Sequence, residues 1–214
     1  EKLITNALNE EKYTEKNVFQ LNERWHCFDA HSDLSSSNQN DLLDNLNTAI
    51  AQTNNQLHNA THVIITLGTS WTYRHIETDE IVGNCHKAPQ NLFEKSLSTI
   101  DEMRKEWERV LLLIRSFNPT AKIVFTVSPV RHAKDGLIEN NRSKARLLEL
   151  IQQLSQSNKL IYFPSYEIAI DELRDYRFYE EDLVHPNKTA IEYIWKRFVV
   201  FAFSDNTTAI YQER

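Results

Sequence analysis

Apolar residues along the chain fall into two kinds of run. His62-Val63-Ile64-Ile65-Thr66-Leu67 and Lys122-Ile123-Val124-Phe125-Thr126-Val127 are short, nearly unbroken and rich in β-branched side chains. Gly68 closes the first and Ser128-Pro129 the second. Runs of this length without polar alternation predict strands buried on both faces. Residues 160–163 predict a shorter third strand. The other runs repeat every three to four positions. Leu42, Leu43, Leu46, Ile50 and Leu57 predict a helix to about residue 58. Phe93, Leu97, Ile100, Trp107, Leu111 and Ile114 predict a long helix over 92–117, ended by Asn118-Pro119. Leu147, Leu148, Ile151 and Leu154 predict another over 139–156. A helical stretch near 166–174 and a terminal helix over 186–203 follow. Near the front, two apolar pieces flank Asn22-Glu23 and predict a hairpin within 18–28.

Helices and strands alternate with crossovers long enough for parallel pairing, so the class is α/β, an open three-layer sandwich. No linker or internal repeat interrupts the pattern, and 1–214 reads as a single domain. Three clear strands are few for so much helix. The chain carries one methionine, Met103, and none at its first position. It reads as lacking a front segment that would supply further strands.

Composition narrows the function. Hydrophobic residues make up 41% and charged residues 25% of 214, with a net charge of -6. That balance fits a folded domain, gives no basic surface for nucleic acid, and offers no apolar run long enough for a membrane span. An acidic chain with no visible signal points to the cytoplasm. Cys27 and Cys85 read as two thiols rather than a disulfide. The three glycines are far below the roughly fifteen that average usage of about 7% would give. Each of Gly68, Gly83 and Gly136 therefore marks a place where the backbone needs unusual freedom or close approach.

Candidate chemistry lies where ligands bind in open parallel sheets, beyond the carboxyl ends of the strands. Gly68-Thr69-Ser70-Trp71 and Ser128-Pro129-Val130-Arg131-His132 follow the first two strands. Asp182-Leu183-Val184-His185-Pro186 enters the last helix. An Asp three residues before a His lets the carboxylate orient the imidazole, which can then act as a general base. The alternative is a helix-entry Asp beside a solvent-exposed His. Gly68 admits close approach to the backbone, so the N–H groups after it are candidate donors to an oxyanion, or simply parts of a tight turn. Ser70 is a candidate nucleophile or polar donor. Gly83-Asn84-Cys85-His86-Lys87 is dense in functional groups, but adjacent Cys-His is poor chelate spacing, so no metal site and no cofactor is expected.

Several long stretches resemble the GSCFA family, a bacterial group related to the SGNH (GDSL-like) hydrolases. They are WHCFDAHS at 25–32, ITLGTSWTY at 65–73, GNCHKAP at 83–89, FTVSPVRHAKDG at 125–136, ENNRSKA at 139–145, YFPSYEIAIDELRDYRFYEEDLVHP at 162–186 and YIWKRF at 193–198. The resemblance implies a flavodoxin-like α/β/α sandwich and serine ester hydrolysis. Asp182 and His185 match the late Asp-x-x-His that supplies acid and base. Gly68-Thr69-Ser70 matches the oxyanion loop, with Ser70 where SGNH enzymes usually place Asn, which leaves Asn84 as the substitute donor. The Gly-Ser-Cys-Phe-Ala string whose Ser looks like the nucleophile does not occur here.

Two readings follow. One is an SGNH-type hydrolase or acyl-transfer enzyme acting on a small-molecule or carbohydrate ester. The other is a non-catalytic ligand- or glycan-binding module on the same fold, since a fold does not establish an activity.

Overall fold

A computed structural model describes residues 2–212. In chain order the elements are α1 (Lys2–Leu8), β1 (Phe19–Leu21), β2 (Arg24–His26), α2 (Gln39–Asn59), β3 (His62–Leu67), β4 (Trp71–His75), β5 (Ile81–Val82) and β6 (Phe93–Leu97). Then come α3 (Ile100–Phe117), β7 (Lys122–Val127), α4 (Leu137–Ser157), β8 (Leu160–Tyr162) and α5 (Ser165–Glu167), which runs into a π-helical turn (Ile168–Glu172). The elements α6 (Lys188–Ala202) and α7 (Asp205–Gln212) follow. The chain forms two compact units, Glu1–Val63 with Ser70–Ala121 and Ile64–Thr69 with Lys122–Arg214.

In the first unit, β1 and β2 pair antiparallel as the expected hairpin, with Phe19 opposite His26 and Leu21 opposite Arg24. Asn22 and Glu23 at its tip have φ of 50° and 60°, the left-handed pair that matches strand twist in a two-residue turn. Beside it, α2 buries Leu42, Leu46 and Ile50 against Ala7, Tyr13 and Cys27. A three-stranded antiparallel sheet, β5-β4-β6, completes the unit.

That sheet corrects the sequence reading. Residues 93–97 are not the first turns of a long helix but β6, paired with β4 from Trp71–Leu97 to His75–Phe93. Phe93 and Leu97 are four positions apart, a spacing that shares one side in either a helix or a strand. The decisive signal is Thr99, whose hydroxyl accepts from the Glu102 N–H at 3.2 Å while Glu102 accepts from the Thr99 N–H at 2.8 Å. This reciprocal capping box starts α3 at Ile100.

In the second unit, β3, β7 and β8 form one sheet with β7 in the middle. β7 and β8 run parallel, Ile123 beside Leu160 and Phe125 beside Tyr162. The Ser128 N–H just past β7 donates to the last carbonyl of β3, Leu67, at 2.9 Å, so these two carboxyl ends also lie together. Alternate residues of β7 face opposite sides. Val124 packs with Phe163, Ile168, Ile194 and Phe198 toward α6. Ile123, Phe125 and Val127 take the other face and are fully buried. Helix α4 packs on β7 and β8 and buries Leu147, Leu150, Ile151 and Leu154. The expected parallel sheet with helices on both faces is present.

β3 departs from expectation in one respect. Ile64 is 54% exposed, so this strand is not buried on both faces. Among the described strands it has one neighbour, β7, and its apolar run outlasts the cover it receives. Gly136, at φ +83° immediately before α4, holds a conformation that an L side chain adopts only with strain.

Candidate functional site at the carboxyl ends of the parallel strands

Where β3 and β7 end, the first turns of α4 grip both. The Asn140 amide oxygen accepts from the His132 N–H at 3.0 Å. The hydroxyls of Thr69 and Ser143 lie 3.0 Å apart. The Lys144 ammonium donates to the carbonyls of Gly68 and Ser128, each at 2.7 Å. Lys144 is 1% exposed, and burial pushes its pKa down to about 8. It still carries its charge at neutral pH. A Cβ added to Gly68 would lie 3.9 Å from His132 Nε2, which places that imidazole beside the glycine.

The second component is the loop entering α6. Asp182 Oδ1 accepts from the N–H groups of Val184 and His185 at 2.8 and 3.0 Å. Its Oδ2 lies 2.6 Å from His185 Nδ1. An ionised carboxylate only accepts, so the proton sits on Nδ1 and Nε2 is the basic nitrogen. The His185 ring hydrogen bond, with the two backbone N–H groups, holds the Asp182 carboxyl down to about 2. The two side chains are 48% and 59% exposed, Asp182 and His185 respectively, so the pair is open to an incoming hydroxyl.

The loop is shaped as well as bonded. Tyr179 and Pro186 form an antiparallel bridge. The Glu180 N–H donates to the His185 carbonyl at 2.8 Å. Leu183, between the two dyad residues, has φ +59°. Arg131 Nη1 donates to the Leu183 carbonyl and Nη2 to Tyr179 Oη, both at 3.2 Å. The same guanidinium lies 4.5 Å from the Tyr179 ring centre. Because Arg131 sits on the segment after β7, these contacts tie the dyad loop to the carboxyl-end rim.

The other candidates lie in the first unit. Ser70 is 1% exposed, and its carbonyl accepts from the Ser98 N–H at 3.0 Å. Asn84 builds its own turn, donating to Ser32 Oγ at 3.2 Å and accepting from the His86 N–H at 2.9 Å. Cys27 and Cys85 are free thiols; burial raises both, Cys27 to about 11. His86 Nε2 lies 2.7 Å from the Cys27 carbonyl, and burial is the main cause lowering its pKa. Among the described residues, no group of three or more His, Cys, Asp or Glu is arranged to hold a metal ion.

Sequence reasoning passed over Lys144 and did not single out Arg131. A signal for Lys144 existed. It occupies the apolar face of α4, three, four and seven positions before Leu147, Leu148 and Ile151, where a solvated lysine does not belong.

Residues 1–198 match the GSCFA family across both units. The chain belongs to the GSCFA family. The GSCFA match includes Gly68, Ser70, Asn84, Arg131, Lys144, Asp182 and His185, and ends within α6. No curated protein matches the chain. Among the described residues, no helix is long and apolar enough to cross a membrane.

Proposed function

We propose that this GSCFA chain carries the acid–base machinery of an SGNH-type ester hydrolase or acyl-transfer enzyme, with an O-acylated carbohydrate as the substrate class. The observation behind this reading is the 2.6 Å contact between Asp182 Oδ2 and His185 Nδ1, on a loop fastened to the carboxyl-end rim of a parallel sheet. His185 Nε2 takes the proton of an attacking serine hydroxyl, and Asp182 stabilises the imidazolium that results. The same nitrogen then returns the proton to the departing alkoxide. Gly68 leaves its strand end open to a close-approaching acyl oxygen. No serine of this chain is assigned as nucleophile. By family resemblance that hydroxyl belongs to a Gly-Ser-Cys-Phe-Ala motif, a string these residues do not contain.

The test is hydrolysis of p-nitrophenyl acetate and of acetylated saccharides by this chain and by the full gene product. The expected result is activity in the full product alone, abolished by His185→Ala. Equal activity in both forms would instead put the nucleophile within these residues. Saturable saccharide binding without hydrolysis by either form would favour a binding module.

A further inference from the structure

We propose that Arg131 is a positioning residue that sets the Asp182–His185 pair in its working geometry through the shape of its guanidinium. The inference rests on reading that pair as the proton-transfer unit. Leu183 stands between the two residues in a left-handed conformation, which a non-glycine side chain keeps only when its surroundings hold it. Within the loop the Leu183 N–H donates to the Glu180 carbonyl at 2.9 Å, and Arg131 supplies the hold from outside it. One nitrogen binds the Leu183 carbonyl, the other binds Tyr179 Oη, and the planar group lies against the Tyr179 ring. A single side chain thereby fixes both the start of the loop and its midpoint.

The anchor is itself fixed. On one side of Arg131, the Ser128 carbonyl is held by Lys144 and its N–H by Leu67. On the other, the His132 N–H is held by Asn140. The Asp182 turn bonds come from Val184 and His185, both on the far side of Leu183. The Arg131 contact falls on Leu183 itself, so it bears on the backbone angle that brings Asp182 and His185 together as well as on where the loop sits. Lysine cannot replace this function, because an ammonium has no planar face and no fork to reach two acceptors while stacking.

The first readout needs no catalysis. The ¹⁵N shifts of the neutral His185 ring, recorded in this chain, report which nitrogen bears the proton. The unaltered chain should show the Nδ1–H form that Asp182 enforces. Arg131→Ala and Arg131→Lys should both move His185 toward the Nε2–H form that an unconstrained imidazole prefers, with the melting temperature changed by only a few degrees. Tyr179→Phe, which keeps the ring and removes one acceptor, should give a smaller shift in the same direction. In the full gene product, both Arg131 variants should lower kcat ten- to hundredfold and leave KM within about threefold, as a small misplacement of a reacting group does. An unchanged His185 tautomer in Arg131→Ala overturns the proposal, and so does full activity in Arg131→Lys. Failure of the hydrolase reading shows separately, as hydrolysis that survives His185→Ala.

Discussion

The second unit keeps two charges near the carboxyl ends of its strands and holds them by opposite means. Lys144 is buried, and its two described partners are neutral carbonyls, one from each of two strand ends. Asp182 is half exposed and gathers three hydrogen bonds from the two residues it orients. Desolvation works against the lysine's charge, whereas hydrogen bonding favours the aspartate's. A buried ammonium shared between the ends of β3 and β7 is a structural tie closed off from solvent. An imidazole held by an exposed carboxylate has a second ring nitrogen that can exchange protons with an incoming molecule. The contrast separates what holds the rim from what acts at it.

The largest expected effect tests that separation directly. His185→Ala in a hydrolytically active form should lower kcat by a factor of about a thousand or more, as loss of a triad member does. Its stability should change by no more than about 0.5 kcal/mol, because the side chain is exposed. Lys144→Ala should show the reverse emphasis. It orphans two buried carbonyls, at about 1–3 kcal/mol each, and removes three buried methylenes at about 0.8 kcal/mol each. Relief of the desolvation penalty, about 3 kcal/mol for a shift from 10.5 to about 8, offsets part of this. Urea denaturation should therefore show a net loss of about 1–5 kcal/mol. Lys144→Met keeps the apolar stem and should lose less than Lys144→Ala. If the two variants were equally destabilised, the stem would contribute nothing and the tie would lie wholly in the ammonium.

The comparison also shows what could be read in the sequence. β7 was legible because every residue from Ile123 to Val127 is buried, so the run needs no alternation to be recognised. β3 was legible as a strand, but its exposure was not, since Ile64 reads the same whether or not anything covers it. The hairpin at Asn22-Glu23 followed from turn chemistry. The β5-β4-β6 sheet was missed because residues 71–74 are all half-buried and give no clean period of two. The Asp182–His185 pair was legible because its three-residue spacing is local. Arg131 was not, because its partners lie 48 and 52 positions away and meet it only through the folded loop.

A smaller effect should appear in alkali. Lys144 has its pKa lowered in the folded chain, so between about pH 8 and 10.5 the unfolded chain binds more protons at this position. This group's contribution to stability must then rise with pH across that window and be flat below it. Tyrosines complicate the upper end: Tyr13 is raised by burial and would begin to oppose folding once unfolded tyrosine ionises near 10. Comparing the unaltered chain with Lys144→Met between pH 8 and 9.5 isolates the lysine. The stability deficit of the variant should widen as pH rises. A constant difference would mean that the buried ammonium does not titrate in this range.

The smallest effect lies at the acid end and belongs to the dyad. Asp182 is lowered from 3.8 to about 2, first by the His185 ring and then by the backbone N–H groups of His185 and Val184. A carboxyl with a depressed folded pKa contributes its stability fully above the unfolded value and loses it as pH falls through the folded one. The loss from this carboxyl should thus fall between about pH 4 and 2. The carboxylate is exposed, and solvent screens the pair, so the global melting temperature should scarcely register it. The local geometry should register it clearly. As Asp182 takes up its proton, the acceptor for the Val184 and His185 N–H groups weakens, and their amide shifts should move together with an apparent pKa near 2. Asp182→Asn keeps a carbonyl acceptor for those two N–H groups but has no charge to set against His185, so its amide shifts should be flat through this window. If the Val184 and His185 amides instead titrated near 4 in the unaltered chain, the hydrogen bonds would not be holding the carboxylate. The exposed charge would then be no better organised than any surface aspartate, and the contrast with Lys144 would fail on the dyad's side.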